Sequence, residues 1–454
     1  MRGKNQLLEQ LRDGGEMSRG EKVRLVGLLS VPAMLGQLSS IIMQYIDAMM
    51  VGKLGASASA SIGLVSTTTW LFGGLTVSVG TGFSVLVAQR IGAKENERAR
   101  DILRQSLLLC FCFAMLVCLF CVAIHGALPE WLGGTGNVVS QARSYFLIWA
   151  LTVPVMQMLH LSNSMLRASG NMTVPMFSGA LMCALDVVFN IFFIPRWGVT
   201  GAALATSLSG TVCAAASLVY LLCFSCELKL LSHPGHLRPE WGIIRDALKI
   251  GLPMAVEHIV FCGAQIVSTV IVAPLGTVAI AANTIGITVE SLCYMPGYGI
   301  GDAATTLIGQ SVGAKRHDLV RSFSWLTVFL GIAVMSALGA VMYVFAPQIM
   351  AVMNIDTAVQ SVGTVALRIE AYAEPMYAAS IVVYGVFVGM GDTLVPCIMN
   401  LCSIWMVRIP LAWMLASSMG LAGVWLAMAI ELCVRGIIFL VRLAMKIRVN
   451  RSRR

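Results

Sequence analysis

The stretch Val87-Ala88-Gln89-Arg90-Ile91-Gly92-Ala93-Lys94 closes a long apolar segment, and its last three residues recur 221 positions later as Gly313-Ala314-Lys315. The same offset relates many other positions on either side of this stretch. They are Pro32 and Pro253, Leu54-Gly55 and Leu275-Gly276, Gly80 and Gly301, Gln89 and Gln310, Arg100 and Arg321, Pro154 and Pro375, Gly170 and Gly391, and Pro175 and Pro396. An offset that is kept through every loop indicates an internal duplication.

The repeat continues beyond one inserted residue. Gly198 and Gly201 match Gly420 and Gly423 at an offset of 222. The chain is therefore predicted to consist of two homologous halves.

The composition excludes a soluble globule. Of 454 residues, 57% are hydrophobic and 12% are charged, against about 45–50% and about 25% in soluble domains. Too few polar side chains exist to cover a soluble surface, and intrinsic disorder is excluded because disordered chains are poor in apolar residues. The sequence is that of a polytopic membrane protein.

Twelve apolar stretches are long enough to cross a bilayer as helices, which takes about 20 residues each. They lie near 25–48, 60–88, 105–125, 143–166, 174–194, 199–224, 247–273, 282–310, 324–346, 366–390, 394–417 and 421–445. None shows the alternation of a β-barrel strand. We expect an all-α integral membrane protein with twelve transmembrane helices in two six-helix bundles. Because six is even, the repeats are parallel, related by an axis along the membrane normal.

The distribution of basic residues predicts the orientation. With both termini inside, most of the 31 Lys and Arg residues lie on the inner side, which predicts a multi-pass protein of the plasma (inner) membrane with cytoplasmic termini. These charges lie in short loops, so nucleic-acid binding is not expected. The predicted parts are a cytoplasmic tail (1–24), an N-lobe (25–226), a cytoplasmic linker (227–246) containing Ser232-His233-Pro234-Gly235-His236, a C-lobe (247–445) and a basic tail (446–454).

Four segments resemble motifs of the multidrug and toxic compound extrusion (MATE) family, nearest to its DinF-like branch. They are Ile46–Gly55, Val87–Lys94, Leu166–Asn171 and Gly198–Thr206. The resemblance covers about residues 25–445. It implies cation-coupled antiport, in which Na⁺ or H⁺ enters while an amphipathic, often cationic, drug leaves.

Ionisable residues inside apolar helices are functional candidates because they are costly in hydrocarbon. At 1.5 Å per residue, Asp47 and Asn190 lie about 8 Å below the outer helix ends, with Asp186 one turn deeper and Thr206 near it. Carboxylate, amide and hydroxyl oxygens suit Na⁺, and paired carboxylates suit H⁺. The resemblance maps these four onto the family's N-lobe cation site and adds the fourth-helix amide Asn163. The fifth-helix Asn and Asp are reversed relative to the family pattern, and an interhelical hydrogen-bond pair is the structural alternative.

A second acidic group belongs to the second half only. Glu290, Glu370 and Glu374 lie at similar outer-half depths, whereas Glu257 is nearer the inner side. We expect this group to line the substrate cavity or to form a second coupling site. The NorM-type branch resembles this in using seventh- and tenth-helix acids, although a phenylalanine occupies the seventh-helix position here.

Two arginines also lie within predicted spans. Arg408 is expected either to balance one of the acids of the second half or to bond to carbonyl groups. Arg435 is four residues from Glu431, a spacing that predicts an internal ion pair.

Pro32 and Pro253 interrupt the first helix of each half at equivalent places and are predicted hinges, because proline leaves a carbonyl unpaired.

These observations predict an antiporter that exports amphipathic small molecules by alternating access. It would act in the lipid bilayer, as a monomer, with no cofactor and no resident metal, although transported Na⁺ can occupy the Asp47/Asp186 cluster. The alternative is a lipid or lipid-linked glycan flippase of the related superfamily, which favours a strongly cationic cavity. A channel, which conducts without strict exchange, is a third possibility. A membrane enzyme is not expected, because His160 and His258 lie on different helices without an evident metal partner.

Overall fold

A computed structural model describes residues 3–231 and 239–452. The Ser232–His236 part of the predicted linker and the last two residues of the basic tail lie outside this range. Within it the chain forms helices and turns, with no strand. A backbone in hydrocarbon must satisfy its own hydrogen bonds, which long helices do.

The first half contains seven helices in the described residues. They are α1 (Lys4–Arg12), α2 (Arg19–Gly52), α3 (Ala56–Gly92), α4 (Asn96–Ile124), the short α5 (Leu128–Trp131), α6 (Asn137–Ala168) and α7 (Thr173–Cys223).

The described residues of the second half form eight more. They are α8 (Trp241–Val272), α9 (Thr277–Gly313), α10 (His317–Met353), α11 (Thr357–Ala371), α12 (Glu374–Met390), α13 (Leu394–Ser403), α14 (Ile409–Met419) and α15 (Leu421–Ser452). A 3₁₀ turn (Ala273–Leu275) follows α8, and a π-helical turn (Ile404–Arg408) joins α13 to α14.

The helices account for the twelve predicted spans. Ten helical segments are long and apolar enough to cross a membrane, and the bent pair α11–α12 makes an eleventh. α7 is 51 residues long and contains non-helical backbone at Gly198, so it holds the fifth and sixth predicted spans in one element. The expected twelve-helix, all-α membrane fold is confirmed.

The internal repeat is visible in the backbone turns. Among the described residues, the non-glycine residues with positive φ are Lys94 (φ 61°) and Lys315 (φ 55°), which are repeat counterparts. Positive-φ glycines recur in the same register: Gly55 and Gly276, Gly170 and Gly391, Gly198 and Gly420. Left-handed backbone is disfavoured for most residues, so its recurrence shows that both halves turn at the same places.

The one-residue insertion in the second half coincides with an irregular helix. The offset changes from 221 to 222 between Pro396 and Gly420, and the π-helical turn Ile404–Arg408 lies in this interval. A π turn accommodates one extra residue without ending the helix. The insertion therefore widens one turn and leaves the span intact.

The described residues form two compact units, which divide after Met34 and after Ala255. The N-unit is Leu35–Ala255, and the C-unit consists of the residues before and after it. α2 and α8 therefore each contribute to both units. Pro32 and Pro253 lie inside these helices, two residues before each division. The units are offset from the predicted lobes 25–226 and 247–445, whose boundaries stay a prediction, as does the hinge role of the prolines.

The predicted N-terminal tail contains a helix that packs on the C-unit. Leu7 and Leu11 of α1 are completely buried, and Arg12 donates from Nε to Oε1 of Gln310 at 3.2 Å. The backbone carbonyl of Gly15 accepts a 2.8 Å hydrogen bond from Arg316.

Close helix contacts depend on small residues within each unit. In the N-unit, a methyl group on Gly82 of α3 would overlap the carbonyl of Ala247 at the start of α8. In the C-unit, one on Gly299 of α9 would overlap the backbone of Met34 in α2. Small residues allow such approach in membrane helices.

Candidate functional site

A buried polar cluster connects α2 and α7 in the N-unit. Asn190 Nδ2 donates to Asp47 Oδ1 at 2.7 Å and to Asp186 Oδ2 at 3.0 Å. Asp186 and Asn190 are one turn apart on α7 and are completely buried, whereas Asp47 is half-buried. The structure thus brings together three of the residues that were expected to converge, Asp47, Asn190 and, one turn deeper, Asp186.

The two carboxyl groups of this cluster are also close to each other. Asp47 and Asp186 both accept from the same amide nitrogen, and two neighbouring carboxylates are stabilised by a proton on one of them or by a bound cation. The second amide atom of Asn190, Oδ1, is buried without a hydrogen-bond partner among the described residues. The cluster therefore contains the carboxylate oxygens of two aspartates and the Asn190 amide oxygen, which accepts no hydrogen bond from the described residues.

The hydroxyl of this cluster comes from Ser209. Its Oγ lies 3.4 Å from Asp186 Oδ1 and 3.0 Å from the carbonyl oxygen of Thr206 in its own helix, so these two acceptors compete for its single proton. Thr206 instead donates to the carbonyl of Ala202 in its own helix at 3.2 Å. The fourth-helix amide Asn163 makes no hydrogen bond to the cluster in the described part of the chain, where its Oδ1 is buried without a partner. The break at Gly198 sets the rotation of the following helix, which depth arithmetic could not supply.

The acids of the second half form a separate buried group in the C-unit. Glu370 of α11 and Glu374 of α12 are completely buried, and Glu290 of α9 is 6% exposed. Glu290 and Glu374 lie close enough to Glu370 to interact with it electrostatically. None of the four carboxyl oxygens of Glu370 and Glu374 has a hydrogen-bond partner among the described residues. Unpartnered carboxylates cannot stay ionised in an apolar interior without a cation, so each requires a proton or a bound ion.

Glu257 lies in a different polar contact. Tyr384 of α12 donates to its Oε2 and Asn400 of α13 donates to its Oε1, both at 2.6 Å. Neither Tyr384 nor Asn400 was among the residues expected at a site. A signal existed in the repeat, because the counterparts of Glu257 and Asn400 are Gly36 and Gly179.

Those two glycines are themselves in contact in the N-unit, where a methyl group on Gly179 would lie 3.6 Å from the carbonyl oxygen of Gly36. The same helix contact is therefore formed by two glycines in the first half, whereas in the second half it is formed by Glu257 and Asn400.

Arg408 pairs with Glu431. Its Nη2 lies 2.9 Å from Glu431 Oε2, and Arg435 Nη2 donates to the same oxygen at 2.9 Å. Ser403 Oγ donates to the other oxygen at 2.6 Å. The predicted ion pair between Glu431 and Arg435 is present, and Arg408 completes it as a buried triad.

No cluster of three or more His, Cys, Asp or Glu side chains that could hold a metal ion occurs in the described residues. The thirteen cysteines are free thiols.

Comparison with known proteins gives consistent matches over both halves. A family model described as MatE matches residues 32–192 and 253–414, so its two matches start 221 residues apart. The probable multidrug resistance protein NorM of Thermotoga maritima is 26% identical over 418 residues, which cover 90% of this chain and 89% of that protein. The probable multidrug resistance protein YoeA of Bacillus subtilis is 22% identical over 88% of this chain and 89% of its own.

Solved structures share the fold. An outward-facing multidrug resistance MATE family transporter of the MOP superfamily has a TM-score of 0.91 at 22% identity, covering 100% of this chain and 99% of that one. A MOP superfamily transporter from Pyrococcus furiosus has a TM-score of 0.89 at 22% identity, covering 97% and 98%. The reversed polarity of its binding pocket is said to suggest a different function.

Proposed function

Since the chain belongs to the MatE family, we propose that it is a multidrug efflux transporter that exports amphipathic, often cationic, compounds in exchange for H⁺ or Na⁺. The names of its relatives, which are multidrug resistance proteins, support the substrate class. The duplicated architecture supports alternating access, because two homologous bundles can rock about a shared site.

The observation that carries the proposal is the cluster of Asp47, Asp186 and Asn190. Two carboxyl groups share one amide donor within 3.0 Å inside a membrane helix bundle. Two ionised carboxylates that share one amide group are unstable in an apolar interior, so the cluster favours a bound cation or a proton. Asn190 Oδ1 adds an oxygen ligand without another partner in the described structure.

Binding of one cation here would reduce the negative charge of the cluster and change the stability of the conformations that depend on it. A substrate that prefers the neutral or the charged form then competes with the cation through the conformational equilibrium. This coupling gives exchange without direct contact between the drug and the cation.

The C-unit offers the competing coupling site. Glu370 and Glu374 are buried without hydrogen-bond donors in the described residues, and Glu290 lies near them. These acids take part either as a second cation site or as the acidic wall of the substrate cavity. Glu257 is a weaker candidate, because Tyr384 and Asn400 already donate to both of its oxygens.

We further propose that the protein lies in the plasma (inner) membrane with both termini cytoplasmic and acts as a monomer. The excess of basic residues on one side supports the orientation. Both bundles belong to one chain, so a second copy is not needed to complete the architecture.

Dye efflux from proteoliposomes tests the proposal, under an imposed Na⁺ gradient and separately under a pH gradient. We expect one gradient to drive efflux by the wild type, and Asp47→Asn to abolish the drive because it removes the charge and keeps the shape. Asp101→Asn is the matched control: Asp101 pairs with Arg104 at 2.6 Å and its side chain is 45% exposed.

Three results would change the proposal. Drive that survives in Asp47→Asn and is lost in Glu370→Gln or Glu374→Gln moves coupling to the C-unit. Efflux that needs neither gradient contradicts antiport and favours a channel. If sealed vesicles show no efflux of several dyes, and a fluorescent lipid changes leaflet, the protein is a flippase.

A further inference from the structure

Arg368 of α11 is exposed although it lies within an apolar span. Its guanidinium carbon is 5.4 Å from the centre of the Tyr343 ring on α10, and its Nε donates to the backbone carbonyl of Tyr343 at 3.4 Å. It forms no ion pair with a carboxylate in the described residues, and its two terminal nitrogens make no hydrogen bond there. The N–H groups of the two terminal guanidinium nitrogens therefore have no acceptor among the described residues.

Two tyrosines form one wall beside this arginine. The rings of Tyr343 and Tyr372 meet edge to face with centroids 5.4 Å apart, and Tyr372 is 71% exposed. Tyr372 lies in the break between α11 and α12, where the chain bends by 56°. The break leaves its ring on the surface of the C-unit, next to Arg368.

The depth of this group follows from α10. Trp325 and Tyr343 are 18 residues apart on this helix, which corresponds to about 27 Å along its axis and matches the hydrocarbon thickness of about 30 Å. Tryptophan and tyrosine favour the two membrane interfaces. Tyr343, and with it Arg368, therefore lies at the headgroup level of the leaflet that α10 reaches at its C-terminal end.

The surface around Tyr343 is apolar. Val341, Val344 and Phe345 are at least half exposed in the protein. Exposed aliphatic and aromatic side chains at this depth of a membrane protein are solvated by acyl chains. The Arg368 guanidinium beside these side chains is therefore within the part of the surface that lipid headgroups contact.

We propose that Arg368, Tyr343 and Tyr372 bind the phosphate group of an outer-leaflet phospholipid. The guanidinium fork matches two phosphate oxygens, the tyrosine pair donates a hydroxyl proton to the same group, and the acyl chains lie along Val341, on the bilayer side of Tyr343. The site rests on the proposed orientation only for the choice of leaflet, and it needs no transport activity.

Photo-crosslinking tests this site directly. Val365 is 48% exposed and lies three residues before Arg368 on the same helix face, so p-benzoylphenylalanine at this position reports the lipid bound there. The full chain is reconstituted in vesicles of phosphatidylethanolamine, phosphatidylglycerol and monoglucosyldiacylglycerol with the same acyl chains. Mass spectrometry then gives the ratio of crosslinked phospholipid to the phosphate-free glycolipid.

We expect phospholipid to be enriched about fivefold over its share of the bilayer, as for an exposed charge-assisted pair. Arg368→Gln should return the ratio to that of the bilayer, and Arg368→Lys should keep part of the enrichment. Arg196→Gln is the matched control, because Arg196 is also exposed on a predicted outer end and bonds to a backbone carbonyl, that of Phe192. All variants alter exposed side chains, so folding is retained.

Three outcomes overturn the proposal. One is a crosslinked ratio equal to that of the bilayer in the wild type, or one that Arg368→Gln leaves unchanged. Another is loss of enrichment in excess inorganic phosphate, which identifies a site for free phosphate. The third is crosslinking to a transported dye with no lipid adduct, which assigns this face to the substrate path.

Discussion

Replacing Glu431 by Gln removes the one negative charge that two buried arginines share. Glu431 is completely buried, and the side chains of Arg408 and Arg435 are 13% and 10% exposed. The substitution keeps the shape of the side chain and leaves both guanidinium groups without an anionic partner. Removing one member of a buried ion pair costs about 3–5 kcal/mol, because the remaining charge stays desolvated.

Equilibrium unfolding in mixed micelles of a mild detergent and sodium dodecyl sulphate measures this cost. We expect Glu431→Gln to lower the free energy of unfolding by about 4 kcal/mol. Glu95→Gln is the control, because Glu95 pairs with Arg90 at 2.8 Å but both side chains are about 40% exposed. Exposed pairs contribute about 0–1 kcal/mol.

A triple variant separates charge imbalance from misfolding. Glu431→Leu combined with Arg408→Leu and Arg435→Met removes all three charges, and we expect its stability to lie within about 1 kcal/mol of the wild type. A loss below about 1 kcal/mol in Glu431→Gln would refute the reasoning. It would mean that Arg408 is neutralised elsewhere, by Glu290 or Glu370, as the sequence first suggested.

Three further predictions follow from single contacts. Ser209→Ala should weaken coupling-cation affinity about fivefold, because it removes one hydrogen bond to the cluster, whereas Thr206→Ala should leave affinity unchanged; equal effects on ion-dependent efflux would contradict this. Partial burial acts to raise the pKa of Asp392, but hydrogen bonds and charges from two basic residues of α15 outweigh it and lower the pKa. The stability difference between wild type and Asp392→Asn should therefore be constant above the ordinary aspartate pKa of about 4 and shrink as the pH falls below it, and a pH-independent difference would refute the ion pairs. Gly82→Ala should lower the free energy of unfolding by about 2 kcal/mol through overlap with a backbone carbonyl, whereas Gly73→Ala, which meets no atom within 4 Å, should not, and equal effects would refute this contact.

The architecture could be predicted from sequence because two strong regularities determine it. Hydrophobic length fixes the number of spans, and the constant offset fixes how they repeat. The details that escaped prediction are local backbone events. The break at Gly198 rotates the next helix so that Ser209 reaches Asp186, and α1 has too few apolar residues to stand out as a span.

The candidate site was only partly predictable for a related reason. Depth arithmetic predicts the level of a residue but not the direction of its side chain. It therefore placed Asp47, Asn190 and Thr206 near one another, whereas the Thr206 hydroxyl bonds to a carbonyl of its own helix. The partners of Glu257 were missed because neither Tyr384 nor Asn400 is unusual in a membrane helix. A signal for Asn400 appears only when the two halves are compared, because its counterpart in the first half is the glycine Gly179.

The two halves share their backbone turns but differ in their buried ionisable residues. The turns at Lys94 and Lys315 and the paired glycines keep the backbones of the two halves alike. The buried acidic residues do not follow the repeat. Asp186 of the N-unit cluster has its counterparts, at offsets 221 and 222, at Val407 and Arg408 in the π-helical turn.

The one-residue insertion thus lies at the position where the first half has Asp186 and the second half has Arg408. Where the first half has a carboxylate next to a second carboxylate, the second half has an arginine held by Glu431. A widened turn changes which side chain faces the bundle interior without changing the path of the helix. Deleting one residue of Ile404–Arg408 should therefore restore the helical register of the first half and turn Arg408 away from Glu431, with a loss of stability like that of Glu431→Gln.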